Sequence, residues 1–541
     1  MRQRQRPVMR CLCAWAFCLL GGGALADGPR LLLAGGAVPV CSNISPQACV
    51  AGRVPGPAPL AAQYRVDAAG LERVAAAWWQ PQRSLARKRI LAALQRLAKA
   101  GAQDFSADAL QAALQSSKRG RAWTELADFE QSRIFDALQR APSVERVAFE
   151  DSTADSGAVI FREFVAMARS ASGRQPPRIL VSTASSRDPY DAIHFYLQLF
   201  EQAGAQVRWL PLDHALRAAQ ATPDTDCSRL DRLRGERWGA QDRARLHALR
   251  AQELQDACRD HARLRADIAW ADGLFLNGGD QSFTRAAWYN ADGTPSLELL
   301  LLRQRLEAGT LVLAGTSAGT AVQAASPGVM LVSGPAVPSD AAQAWSQLPP
   351  DPDCAAAAVC AGVDPDALLM HPGGGLGSFP LGVLDTHFSE RGREYRLARL
   401  LLDSGTTLGA GIDENTALRL DRSGAQWRAR VIGRAGVTLL QRLDQRRLLW
   451  SRYRAGADFL WPGALETRTC EAPIALRTLR AGTTELRDAL LAADQRPALP
   501  LRLESAGRLR NAGQVCAAST PGARIWEFPA STMQADQGQQ P

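Results

Sequence analysis

Short apolar runs ending in glycine recur along this chain and alternate with stretches of helical periodicity. Arg30 to Gly36 (RLLLAGG) is the first, an apolar run closing on two glycines, as a buried parallel strand does on entering a turn. A linker rich in Pro, Gly and Ala follows over 50–62. From about 66 to 141, Ala, Leu, Arg and Gln recur at helical spacing with almost no β-branched runs, so a helical insertion is expected over about 50–145. The alternation resumes at 157. Helices are expected at Ala158–Ser170, Asp191–Ala203, Leu297–Glu307 and from Gly319 to Ala325, and strands at Arg178–Ala184, Gln206–Leu210 and Thr310–Ala314. The apolar run Ile268–Leu276 ends in Asn277-Gly278-Gly279-Asp280, and 217–264 is a charged helical excursion with a cysteine near each end. This alternation predicts an α/β fold, a parallel sheet with helices on both faces and ligands beyond the carboxyl ends of its strands. Past about 450 the pattern weakens, and 451–541 is expected to form a small appended β-rich module.

Composition refines this picture at the N-terminus. Arg2, Arg4, Arg6 and Arg10, the apolar Cys11–Leu20 and the small residues of Ala24-Leu25-Ala26 have the layout of a signal peptide over 1–26, cleaved after Ala26. The apolar run is shorter than the ~20 residues that span a bilayer. A periplasmic or secreted protein with no membrane span after signal removal is therefore expected. Without those residues, 59 basic stand against 54 acidic positions. No dense basic block with interleaved aromatics appears, so nucleic acid is not an expected partner. Eight of the eleven cysteines remain after cleavage. They fall into the neighbours Cys41/Cys49, Cys227/Cys258, Cys354/Cys360 and Cys470/Cys516, the simplest pairing for structural disulfides in an oxidising compartment. No C-x-x-C or H-E-x-x-H spacing supports a zinc site.

Candidate chemistry centres on Gly315-Thr316-Ser317-Ala318-Gly319, which follows the apolar Leu311–Ala314 and precedes a helical run. A sharp strand-to-helix turn lifts a serine hydroxyl above a sheet edge, with flanking glycines where Cβ atoms would not fit or φ is positive. The Ala318 N–H would then face an oxyanion. Of six histidines, His387 stands out, in Leu384-Asp385-Thr386-His387-Phe388 directly after an apolar run; His371 is the other candidate base. After His387 come Arg391, Arg393, Arg396 and Arg399; Arg393 and Arg396 are three apart and would share a helix face, as would Arg396 and Arg399. Such a run is ordinarily a solvated surface; beside a catalytic histidine it suits recognition of a carboxylate.

Ser182-Thr-Ala-Ser185, Gly278-Gly279-Asp280-Gln281, Gly315-Thr-Ser-Ala-Gly319, Asp385-x-His387-Phe388 with its Arg-x-Arg-x-x-Arg-Leu continuation and Gly411-Ile-Asp-Glu-Asn-Thr-Ala417, in this order and together, resemble the cyanophycinases and related peptidase E-like enzymes. The likeness covers roughly 30–36 and 157–440, within a hydrolase domain placed at 27–450. It implies a three-layer sheet like that of class I glutamine amidotransferases and a Ser-His hydrolase without cofactor or metal. The family's substrate is cyanophycin, a poly-aspartate carrying arginine on each side chain and released as β-Asp-Arg. By the same resemblance Ser317 would attack, His387 act as base, and backbone near Gly279 and Ala318 hold the oxyanion. Gln281, Asp385, Arg391, Arg393 and Arg396 would line the pocket, with Asp385 receiving a substrate guanidinium and the arginines its carboxylates. A homodimer is also implied. Two positions depart from the pattern: Thr386 stands where the family has Gln, and Val332-Ser333-Gly334 lacks the Glu expected to orient the histidine. Asp340 or Glu414 would have to supply that acid. These departures leave a second reading, a catalytically degenerate binding protein on the same fold. An esterase of α/β-hydrolase type would need a late histidine, and none follows His387.

Overall fold

In the computed structural model, Arg30–Ala34 lies inside an eight-stranded sheet, parallel to Val312–Thr316 on one side and antiparallel to Thr416–Ser423 on the other. The structure describes residues 28–528 apart from 58–62, 78–83, 100, 117–120, 127, 141–144, 223–225, 332–342, 346–366, 425, 462–476, 481–482, 493–498, 506–507 and 519–522. The signal-like segment, Asp340, Val332-Ser333-Gly334, Cys354, Cys360 and Cys470 lie outside the described residues. Across the sheet the order is Asp458–Trp461, Gln426–Gly433, Thr416–Ser423, Arg30–Ala34, Val312–Thr316, Gly273–Leu276, Arg178–Ser182, Gln206–Trp209. The last five run parallel.

Strand residues alternate between faces, and each face meets its own helices. Leu31, Leu33, Leu180, Leu274, Leu276 and Leu313 pack with Leu216, Leu254, Ile268, Leu299 and Leu302 from helices between 214 and 307. Leu32, Ala34, Ile179, Val181, Phe275 and Val312 pack instead with Phe161, Phe164 and Val165 of Ala158–Ser172 and with Leu199 and Phe200 of Ile193–Gln202. Near-continuous apolar strands follow from burial on both sides. The Ile268–Leu276 run is divided: Ile268 and Trp270 end the helix His261–Trp270, and the strand starts only at Gly273. Asp272 marks the break, its Oδ2 accepting from the Arg178 N–H at 2.8 Å.

The strand before His387 belongs elsewhere. Val383–Thr386 is the edge of a second eight-stranded sheet, ordered Val383–Thr386, Leu408–Ile412, Gly436–Arg442, Arg447–Arg454, Ala523–Glu527, Arg508–Ala517, Leu499–Ser505, Arg477–Arg480. The segment expected as an appended module contributes strands to this sheet: the boundary placed at 450 falls inside Arg447–Arg454, which pairs with Ala523–Glu527. Asp458–Trp461 joins the first sheet. The alternation in these strands is diluted by Arg and Gly, so their partners could not be read locally. Both segments share a core in which Val383, Leu397, Leu401, Leu440 and Trp450 meet Leu503, Val515, Trp526 and Phe528.

The insertion folds around its own apolar cluster, with Val66, Ile90, Leu94, Leu110, Trp123, Ile134 and Leu138 buried together. It is not wholly helical, since Tyr64–Val66 pairs with Gln103–Phe105. Asp67 then caps the helix Ala68–Ala76 by accepting from the Gly70 N–H at 2.7 Å. Arg243 joins the insertion to the sheet domain, donating to Gln139 at 2.7 Å and pairing with Asp188. Cys41–Cys49 and Cys227–Cys258 are disulfides, and Cys516 is also disulfide-bonded. Among the described residues no helix is long and apolar enough to cross a membrane.

Candidate active site

Ser317 occupies the turn beyond Val312–Thr316 with φ 53° and ψ −120°, a sparsely populated conformation for a residue with a side chain. The positive φ falls on the serine itself, and the glycines serve close approach. A Cβ on Gly315 would sit 2.2 Å from the Gly319 carbonyl oxygen, and one on Gly319 would sit 2.2 Å from that of Leu276. The buried Thr320 hydroxyl lies 2.7 Å from the Ala34 carbonyl and 2.8 Å from that of Gly315, and the Ser317 N–H donates to Ala34 at 3.1 Å. The expected helix Gly319–Ala325 is a single turn, Ala318–Ala321, so its dipole adds little to the first amides.

Two crossings bring the other groups to this turn. At the end of Val383–Thr386, His387 turns through φ 47°, and its N–H donates to Gly35 at 2.8 Å, tying the second sheet to the first. Its Nε2 lies 2.8 Å from Ser317 Oγ. Gly36 makes room for the ring: a Cβ there would stand 2.4 Å from its Cε1 and Nε2. The segment Asp413-Glu414-Asn415 then carries the chain from Leu408–Ile412 in the second sheet to Thr416–Ser423 in the first. Glu414 Oε1 lies 2.6 Å from His387 Nδ1. Of the two acids left open, Glu414 thus meets the ring, and Asp340 is outside the described residues.

A hydroxyl, an imidazole and a carboxylate therefore stand in line. In this order a neutral ring can accept the serine proton at Nε2 while Nδ1–H is held by the carboxylate. Burial holds the His387 pKa below the ordinary histidine value, with Arg391 and Arg393 acting in the same direction and Glu414 opposing. The ring is accordingly neutral at pH 7. Glu414 is 31% exposed, and Arg391 Nη2 lies 4.0 Å from its Oε1.

Gly279, Gln281, Ala318, Asp385, Thr386, Arg391, Arg393 and Arg396 line the cleft around Ser317 and His387, which encloses ≈ 50 Å³. Gln281 Nε2 donates to the Leu331 carbonyl at 2.7 Å. Asp385 is not open to a substrate guanidinium. Its carboxylate is taken by Arg396, with Nε at 2.7 Å and Nη2 in a second bond, and by Arg393 at 3.5 Å. These arginines hold the fully buried carboxyl below its usual range, against the opposing effect of burial. Arg393 also donates to the Thr386 carbonyl at 2.6 Å, and burial lowers its own pKa to about 10. The helix Glu394–Ser404 is no solvated face either, since Glu394 to Leu402 are all buried. Arg391 alone of the three lining arginines is exposed, at 40% of its side chain. His371 is not at this cleft; its Nδ1 accepts from the Gly373 N–H at 3.0 Å.

Sequence reasoning assigned no role to Gly36, Asn277 or Asp413. Asn277 ties two loops of the sheet edge, accepting from the Ser185 N–H at 3.2 Å and donating to Ser186 Oγ at 2.7 Å. The Asp280 N–H donates to the Ser185 carbonyl at 2.7 Å, which fixes the Gly279 turn over the serine. The only signal was their place inside motifs already noted. Asp188, Asp191 and His247 lie close enough together to hold an ion, but Arg243 pairs with both acids.

The frame so defined is a mixed α/β protein carrying a Ser-His-carboxylate line at a sheet edge. Comparison with known proteins narrows this. No family model matches the chain. A cyanophycinase of Trichormus variabilis is 32% identical over 181 residues, 34% of this chain and 49% of the relative. A cyanophycinase of Nostoc sp. matches to the same extent, and one from Synechococcus elongatus is 29% identical over 185 residues, 34% of this chain and 46% of its own. The chain thus spans about half the length of the curated relatives it matches. The crystal structure of a peptidase from an acI-B1 Actinobacterium covers 55% of this chain and 88% of its own, at 18% identity and a TM-score of 0.31. Over the matched segment the chain is similar to the cyanophycinases.

Proposed function

We propose that this protein is an exported serine peptidase resembling cyanophycinase, with Ser317 as nucleophile, His387 as general base and Glu414 as orienting acid. The contact of Ser317 Oγ with His387 Nε2 at 2.8 Å, backed by Glu414 at 2.6 Å, carries this reading. Ser317 Oγ adds to the scissile carbonyl as its proton passes to Nε2; N–H groups at Gly279 and Ala318 face the oxyanion. The imidazolium, steadied by Glu414, returns the proton to the departing amine and leaves an acyl-serine. Water, deprotonated by the same ring, releases the acid product.

The substrate proposed is cyanophycin or a related Asp-containing peptide, cut to β-Asp-Arg. Among the described residues the cleft encloses ≈ 50 Å³, against the ~300 Å³ of a typical small-ligand pocket, enough for the reacting group of a longer substrate. Arg391, Arg393 and Arg396 outweigh Asp385 and Glu414 by one charge, which suits a carboxylate-bearing substrate. The three-layer arrangement like class I glutamine amidotransferases, a periplasmic or secreted location and a homodimer belong to the same proposal. Its test is labelling of full-length folded protein by a serine-directed fluorophosphonate, with Ser317→Ala and His387→Ala as controls. Labelling lost in both variants supports the pair, and release of β-Asp-Arg from the polymer then tests the substrate. No labelling of folded protein favours the degenerate binding protein.

A further inference from the structure

A buried ion pair ties the segment after His387 to the segment bearing Glu414. Asp413 is fully buried and accepts from the Ser389 N–H at Oδ1 and the Gly436 N–H at Oδ2, each at 3.1 Å. Its Oδ2 also pairs with Arg452 Nη2. Arg452, 8% exposed, reaches onward through Nη1 to Ser389 Oγ at 2.9 Å and Thr438 Oγ1 at 3.1 Å. Ser389 lies two residues past the histidine, and Asp413 immediately precedes the acid. Arg452 itself sits on Arg447–Arg454, where Ser451 pairs with Ala523 of the C-terminal strand Ala523–Glu527.

We propose that Asp413 and Arg452 are positioning residues that set the separation of His387 and Glu414, and that the strands beyond 451 serve the site by anchoring Arg452. This rests on His387 and Glu414 being base and acid. The planar guanidinium holds three acceptors at once, which a lysine ammonium reproduces only in part. A displacement of about 1 Å at a reacting pair costs ~10²-fold in rate.

His387 is faced by Glu414, Arg391 and Arg393, and Asp413 by Arg452, Glu390 and Glu394. The two ways Arg452 could act on the ring therefore differ in sign. Losing a nearby cation would raise the His387 pKa, whereas a displaced Glu414 would lower it. The experiment compares full-length Arg452→Met, Arg452→Lys and Ser389→Ala. Fluorophosphonate labelling per folded molecule is followed, and the His387 pKa is read by NMR in a Ser317→Ala background, its signal assigned with His387→Gln. Arg452→Met is expected to slow labelling 10- to 100-fold and lower the His387 pKa, with Arg452→Lys recovering part of both. Ser389→Ala should shift both in the same direction by less, and it decides the matter if Arg452→Met does not fold. Unchanged labelling and an unchanged or raised His387 pKa in the folded variants would overturn the proposal. A wild-type chain that fails to label would sink the serine-peptidase reading, while the His387 titration would still decide the positioning role.

Discussion

Replacing Glu414 by glutamine isolates the charge behind His387, because the amide oxygen can still accept from Nδ1. With about 4 Å between the charge centres, an effective dielectric near 20 gives about 4 kcal/mol of attraction for the imidazolium. Glu414 is 31% exposed, and Arg391 stands 4.0 Å from its Oε1, so solvent and the opposing charge screen that value. Halving it leaves ~2 kcal/mol, or about 30-fold in rate. This is well short of the ~10⁴-fold loss when a buried triad aspartate becomes an amide. Glu414→Ala also removes the acceptor and should cost a further ~1 kcal/mol, or about fivefold. The assay is the second-order rate of fluorophosphonate labelling at pH 8 on protein checked for native fold. Labelling of Glu414→Gln within threefold of wild type would show that His387 works without this carboxylate. A loss approaching 10⁴-fold would refute the screening argument.

Labelling should be full above the His387 pKa and fall away below it, and because burial lowers that pKa the midpoint should lie under 6.5; a midpoint above 7 in a pH–rate profile would contradict this. Asp385→Asn leaves Arg396 buried without its counter-charge and should cost about 3–5 kcal/mol in denaturant unfolding. Since the Asp385 pKa is lowered on folding, the stability it contributes is present above ~3.9 and lost as pH falls through the folded value, so wild type and variant should converge in acid. Replacing Cys227 and Cys258 by serine opens a loop with a sequence separation of 31 and should cost about 3–4 kcal/mol by the chain-entropy relation, read as a lowered unfolding midpoint.

The local parts of this site were legible because their causes are local. An apolar run ending in Gly-x-Ser-x-Gly constrains a turn through sterics within five residues, and Asp385 to Phe388 follows a strand for the same kind of reason. The acid was legible only as one of two candidates, Glu414 and Asp340. Glu414 reaches His387 only because the Asp413-Glu414-Asn415 turn steps between two sheets, and nothing local encodes that step. Asp385 was read as a substrate ligand by resemblance, and nothing local marked its guanidinium partner, which lies eleven residues on across a helix start. The helix bearing Arg396 looked solvated for want of its covering strands. The same gap left the partners of the C-terminal strands unread, since a strand's neighbours are chosen by long-range pairing and not by its own residues.

The step between sheets also bears on when the site comes into being. Its hydroxyl stands on one sheet, its ring at the edge of another, and the acid on the bridge between them. The first strand, Arg30–Ala34, waits for Thr416–Ser423 before it is flanked on both sides. Pairings this distant are slow, because loop-closure entropy is lost before the contacts that offset it form. A chain still emerging from the ribosome therefore carries the serine with neither its histidine nor its acid. Assembly of the Ser317-His387-Glu414 line is thus delayed by chain order alone until the two sheets have met.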